Sequence, residues 1–252
     1  MAINTVLNID NMIGENNRGK NRIMYVGVEL EGVWETIPKG MRIVKDTSVK
    51  NFPAKLINKV AESGNGGIGE ISSPPMFPAM METWMKKNYP QHINATCGLH
   101  IHMSFASCSR YSTLMDIRYH DTLLHYIGEW AKQEGFSKDH LIWDRLKGES
   151  IYCQKKFWPD KQVLQREKIY DKQKEGHRYT ILNFCHGLLG TMEVRVLPMM
   201  NTPEQSARAL QLIMDVTNAC LVKLTERRKR FREELNFAGS SSQFVDRTAT
   251  KL

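Results

Sequence analysis

Several short stretches of the chain alternate apolar and polar residues with a period of two, the pattern of strands that turn one face to a core. In 23–32, Val26, Val28 and Leu30 alternate with Gly27, Glu29 and Glu31, which sets two carboxylates side by side on one face. Residues 97–104 repeat the design with imidazoles, Leu99, Ile101 and Met103 against His100, His102 and Ser104. In 191–197, Met192, Val194 and Val196 oppose Glu193 and Arg195, and 178–184 reads as the neighbouring strand, joined through 186–190. A shorter strand over 69–73 carries Glu70 and is ended by Pro74 and Pro75. Residues 41–44 read as one more strand, leading into Asp46-Thr47-Ser48.

Helical spacing covers the stretches between. Helices are expected over 53–62, over 78–87 and, as one long element, over 109–133, where Leu114, Ile117, Leu124 and Ile127 form an apolar stripe. The last helix has a clear start: Thr202 caps it, Pro203 suits its first position and Gln205 completes a capping box. Its stripe of Ala207, Leu210, Met214, Thr217, Leu221 and Leu224 faces a core, and it ends in the basic run 226–232. Residues 1–22 read as a loosely held polar arm. Residues 135–177 form a basic, aromatic insertion with a helix from about Lys161, and 236–252 read as a Ser-rich disordered tail. The expected architecture is α+β: one domain over 23–235 with a mostly antiparallel sheet.

Composition narrows the function classes. A hydrophobic share of 41% and a charged share of 25% belong to a globular chain. No apolar run is long enough for a membrane span, and no secretory signal opens the chain. The five cysteines are scattered and form no CxxC pair, so they read as reduced thiols in a cytoplasmic setting. A net charge of +8 favours an anionic ligand, whether nucleotide, acidic protein or nucleic acid.

If the strands share one sheet, Glu29, Glu31, Glu70, His100, His102, Glu193 and Arg195 converge on one surface. Taken singly, each element has a plain explanation: outward glutamates on a solvated strand, or a surface ion pair between Glu193 and Arg195 contributing ~0 to 1 kcal/mol. Taken together, carboxylates in that number, with imidazoles and no thiolate, favour Mg²⁺ or Mn²⁺ over structural zinc. Two or three such ions bridged by a polyphosphate fit the charge. Cys97 with the two histidines would make a zinc set, but in a strand Cys97 points away from them.

The motifs, in order, resemble those of the amidoligases, carboxylate-amine ligases related in fold to glutamine synthetase and glutamate-cysteine ligase. The resemblance runs through Gly27-Val28-Glu29-Leu30-Glu31-Gly32, Asp46-Thr47-Ser48, Gly69-Glu70-Ile71-Ser72-Ser73-Pro74, Cys97-Gly98-Leu99-His100-Ile101-His102, Arg178-Tyr179 with Asn183, and Glu193-Val194-Arg195. It implies a curved antiparallel sheet with helices on its convex side. It also implies an ATP-dependent reaction in which a carboxylate attacks the γ-phosphate and an amine displaces phosphate from the acyl phosphate. By the same resemblance Glu29, Glu31, Glu70, His100 and Glu193 are metal ligands. His102, Arg178, Arg195, Asn183 and Ser72 contact the nucleotide, and Arg178, Arg195 and Asp46 take part in catalysis. The carboxylate and amine substrates, small molecules or protein side chains, stay open, with specificity expected in the insertion. Thr47 departs from the family's usual Gly and puts the turn geometry at Asp46 in question. A metal-dependent hydrolase or nuclease, a guanidino-kinase-like phosphotransferase on a related core, and a binding module with solvated strand faces are the competing readings.

Overall fold

The computed structural model describes residues 6–13, 23–150, 153–154, 179–185 and 191–245. It is α+β. Strand β1 (Ile23–Trp34), helix α1 (Ala54–Ser63), β2 (Gly67–Ser72), α2 (Pro78–Asn88), β3 (Gly98–Phe105), α3 (Cys108–Leu114), α4 (Ile117–Gln133), α5 (Ile142–Lys147), the short pair β4 (Glu149–Ser150) and β5 (Cys153–Gln154), β6 (Leu182–Cys185), β7 (Thr191–Pro198) and α6 (Pro203–Val245) follow in order. Among the described residues the main sheet is five-stranded, in the order β2-β1-β3-β7-β6, and every pairing in it is antiparallel.

Alternation does what its period dictates. Val26, Val28 and Leu30 of β1, Leu99, Ile101 and Met103 of β3, and Met192 and Val194 of β7 are at most 1% exposed and merge in one core. Helices α4 and α6 supply the opposing layer. Tyr119, Leu123 and Ile127 of α4 meet the α6 stripe of Leu210, Ile213, Met214 and Leu221, and the buried Tyr119 hydroxyl lies 2.9 Å from Thr217 Oγ1. α6 also packs on α2 and α3. Among the described residues no helix is long and apolar enough to cross a membrane.

Four expectations change. Residues 41–44 make no strand; Val44 and Glu70 exchange one pair of backbone hydrogen bonds, both at 2.9 Å, because a turn through Pro38 and Gly40 delivers the chain to β2 at a single point. The long helix expected over 109–133 is two. Asp116 breaks it in an extended conformation and then caps α4, accepting from the Arg118 N–H at 2.9 Å, so a residue that prefers caps to helix interiors decides the boundary. The last helix does not stop at the basic run, nor does the tail from 236 begin outside it: with no proline after Pro203, each added residue extends a ladder already nucleated, as far as Val245. Part of the arm is held fast, since Ile9 is buried and the Leu7 and Ile9 amides donate to Thr122 Oγ1 and the Tyr126 hydroxyl of α4. The remainder of the arm, residues 246–252, the helix expected from about Lys161 and most of the insertion lie outside the described residues. The insertion's described part holds α5, whose short apolar pattern is hard to see in sequence.

Candidate metal and phosphate site

The polar faces of the strands come together as one surface, and register sets the neighbours. Across β1 and β2, Glu29 faces Ser72 and Glu31 faces Glu70; across β1 and β3, Glu29 faces His100 and Gly27 faces His102. His102 then pairs with Glu193 of β7, and Glu193 with Asn183 of β6. Two carboxylates directly opposite, as Glu31 and Glu70 are, repel unless a cation lies between them. The face is also not solvated: His100 is 4% exposed, His102 8% and Glu193 3%, which removes the explanation of outward-facing strand polarity.

Two donor sets emerge. Glu29, His102 and Glu193 each offer an atom within 4.8 Å of the others, and so do Glu31, Asp46 and Glu70. That span is little more than the roughly 4.2 Å that separates opposite ligands of one Mg²⁺. His100 stands between the sets, its Nδ1 3.0 Å from Glu29 Oε2 and its Nε2 3.7 Å from Glu31 Oε1. His100 Nδ1 also lies 3.6 Å from Glu193 Oε1, so both imidazoles border the first set, and Asp46 lies with the carboxylates of β1 and β2. His102 Nε2 is buried, with Glu29 Oε1 and Glu193 Oε1 3.2 and 4.0 Å away. Such an atom suits a cation ligand, and its ring is oriented by Nδ1, 3.2 Å from Thr191 Oγ1.

Each set is mounted by a local device. Glu193 receives the Asn183 amide at 3.0 Å on Oε2, while Arg195 pairs with its Oε1. The register of β3 on β7 slips between Leu99 and Ile101, a bulge opposite the stretch of β7 that carries Arg195, which alternation sets on the same face as Glu193. Arg145 of α5 donates to the carbonyls of Leu197 and Cys97 at 3.0 and 3.4 Å beside that bulge. Gly98 donates its N–H to Glu31 Oε2 at 2.5 Å; a Cβ there would crowd His100 and Glu31. Asp46 Oδ1 accepts from the Ser48 N–H and hydroxyl, both at 2.7 Å, which fixes the carboxylate in a side-chain turn. Thr47 keeps a negative φ in that turn, so glycine is not required there.

Gly69 matters more. Its φ is +150°, and a Cβ would collide with the Val44 carbonyl oxygen, the contact that brings the 44–48 segment and Asp46 against Glu70. Gly69→Ala is expected to cost about 3 kcal/mol and to lower the melting temperature by roughly 6 to 12 °C. Thermal denaturation within a degree or so of wild type would remove the constraint.

Charge explains the titration pattern. Burial alone would raise the Glu29 carboxyl, but hydrogen bonds and charge from His100 and His102 hold it well below the ordinary range. Burial likewise opposes ionisation of Glu193, and Arg195 with the two imidazoles wins. Glu31 has weaker support and burial pushes it up. Burial disfavours the charged His102 ring, yet Glu29 and Glu193 raise its pKa. Five carboxylates, Glu29, Glu31, Asp46, Glu70 and Glu193, thus gather at this site with the guanidinium groups of Arg145 and Arg195, Glu31 and Glu193 buried and the other three half-buried. A partly buried acidic excess of that kind favours countercharge, and oxygen-rich donors match a hard divalent ion.

Of the residues singled out in the sequence, Ser72 is on the same face at its exposed margin, and Arg178 lies outside the described residues. Arg145 and Lys50 were not foreseen, and Tyr179 was singled out only as part of a motif with Arg178; with Glu31, Asp46, His100 and Arg195 they line a cavity beside the second donor set. Arg145 carries no periodic signal, and only a buried arginine in a finished fold reveals it. No family model, no curated protein and no solved structure matches the chain.

Proposed function

We propose that the chain is an ATP- and Mg²⁺-dependent carboxylate-amine ligase of the amidoligase kind, built on a glutamine synthetase-like sheet, that forms an amide through an acyl phosphate. The observation that carries this is the presence of two adjacent three-residue donor sets, partly buried, with Arg195 beside them on one side of the sheet. Phosphoryl transfer needs little covalent help from a protein; it needs charge neutralisation and alignment.

In this scheme Glu29, His102 and Glu193 hold one ion and Glu31, Asp46 and Glu70 a second. Mg²⁺, or Mn²⁺, held by these residues would supply positive charge against the phosphate oxygens. Arg195 offers a planar guanidinium to the transferring group, and its Nε is buried without a partner in the protein. His100, between the sets, keeps both glutamates of β1 in place. Asn183 steers Glu193 by occupying Oε2. The substrate carboxylate oxygen bonds to the γ-phosphorus as the bond to ADP breaks; the amine nitrogen then bonds to the acyl carbon, phosphate leaves with the electron pair, and the nitrogen loses a proton. Exclusion of water matters, since an acyl phosphate hydrolyses readily, and the burial of both histidines serves that end.

Two measurements test the proposal. The Mg²⁺–ATP complex, at about a hundred times its dissociation constant, is expected to raise the melting temperature by about 5 to 10 °C. Mass spectrometry after incubation with Mg²⁺, ATP and a mixed pool of acids and amines is expected to show products lighter than their summed substrates by one water, matched by ADP. ADP release with a phosphorylated guanidine as the product would place the chain among phosphotransferases. ATP-independent cleavage of nucleic acid would place it among nucleases, and no thermal response to either ligand would sink the proposal.

A further inference from the structure

The cavity beside Glu31 and Asp46 measures about 270 Å³, and its other walls are basic: Arg195 from β7, Arg145 from α5 and Lys50 from the loop before α1, with Tyr179 alongside. At roughly 30 Å³ per water it has room for about nine waters, hence for a small organic acid. The Nε atoms of Arg145 and Arg195 are buried with no hydrogen-bond partner. Once a divalent ion offsets Glu31 and Asp46, three cationic side chains remain around the space, on different walls.

Lys50 is the informative one. Lys50 is exposed at the cavity rim, and its backbone is held in place. Here the Lys50 N–H donates to Thr96 Oγ1 at 3.1 Å, and its carbonyl accepts from Thr96 Oγ1 at 3.0 Å and from Asn94 Nδ2 at 2.8 Å. The next residue, Asn51, has φ +63°, the single non-glycine residue at positive φ among the described residues. A left-handed residue of a type that tolerates that conformation thus follows directly where the chain sets an ammonium at the cavity wall, and among the described residues that ammonium makes no ion pair.

We infer that the cavity binds the acid substrate and that this substrate is a small organic acid with a second anionic group, the reacting carboxylate lying toward Arg195 and Asp46 and the second anion held by Lys50. The word substrate rests on the ligase proposal; the anion site and the role of Lys50 as its specificity determinant do not. The test is calorimetric titration of the full chain with Mg²⁺ and without nucleotide, using succinate and glutarate against butyrate and pentanoate. At least one diacid is expected to bind about tenfold or more tightly than the monoacid of equal length, the size of one charge-assisted hydrogen bond. Lys50→Ala erases that preference, Lys50→Arg keeps most of it, and the Mg²⁺-induced thermal shift is the same in all three proteins. Equal binding of diacids and monoacids, binding of none of the four, or a preference that survives Lys50→Ala overturns the inference. A Lys50-dependent preference in a protein that makes no amide from ATP leaves the anion site standing and removes the ligase. Amide formation at full rate from monoacids does the reverse.

Discussion

Glu29→Gln is expected to lower ATP-dependent amide formation by at least about a thousandfold, the scale seen when a charge-stabilising group is removed from a closed site. Both Glu29 oxygens are engaged, Oε2 with His100 Nδ1 at 3.0 Å and Oε1 near His102 Nε2 at 3.2 Å. Glutamine keeps the shape, but it turns an amide donor toward one of those rings and takes one negative charge from the first donor set. Because the replacement is isosteric, the circular dichroism spectrum should match wild type while the Mg²⁺-induced rise in melting temperature shrinks. Full activity in Glu29→Gln would take this residue out of the chemistry, and an unchanged metal response would take it out of the donor set.

Arg195→Ala separates the two halves of the site. An arginine that stabilises a transferring phosphoryl group contributes about 10³ to 10⁵ in rate, so amide formation should be lost in the variant. The metal response should persist, since the donor atoms of both sets remain. Arg195→Lys is expected to recover little, because an ammonium cannot offer two coplanar N–H groups while also pairing with Glu193. A variant that keeps its ATP-induced thermal shift and its turnover would show that the guanidinium serves only the ion pair with Glu193.

Much of the scaffold was legible because strand periodicity is a local property. Val26, Val28 and Leu30 announce a core-facing side wherever the strand sits, and Glu29 and Glu31 must then share the other. Periodicity says nothing about register. How His100 and His102 both come up against Glu29 and Glu193 depends on how β3 slides between β1 and β7 and on a bulge that no spacing rule reveals. The family resemblance divides the two rings, His100 for metal and His102 for phosphate; in the fold both border the same pair of carboxylates. Asp46 was visible as a turn residue, but its place beside Glu70 depends on one backbone contact at Gly69. Elements without a strong period were the hardest: α5 with Arg145 is too short to show one, and the break at Asp116 is a capping event inside an otherwise continuous stripe.

The strand order also fixes when the site comes into being. Glu29 lies on the first strand of the sheet and Glu193 on the last in sequence, with most of the chain between them, yet only β3 separates them in space. A nascent chain that has made β1, β2 and β3 therefore carries Glu29 and His102 without their third partner. Its acidic residues repel one another until β7 docks, and Arg195 and Asn183 arrive only with that closing of the sheet. Contacts of such long sequence separation form late and slowly, so under the proposed function a divalent ion would recognise the completed domain and draw folding toward it. Cation binding would then report on the protein's own assembly as well as serve its proposed chemistry.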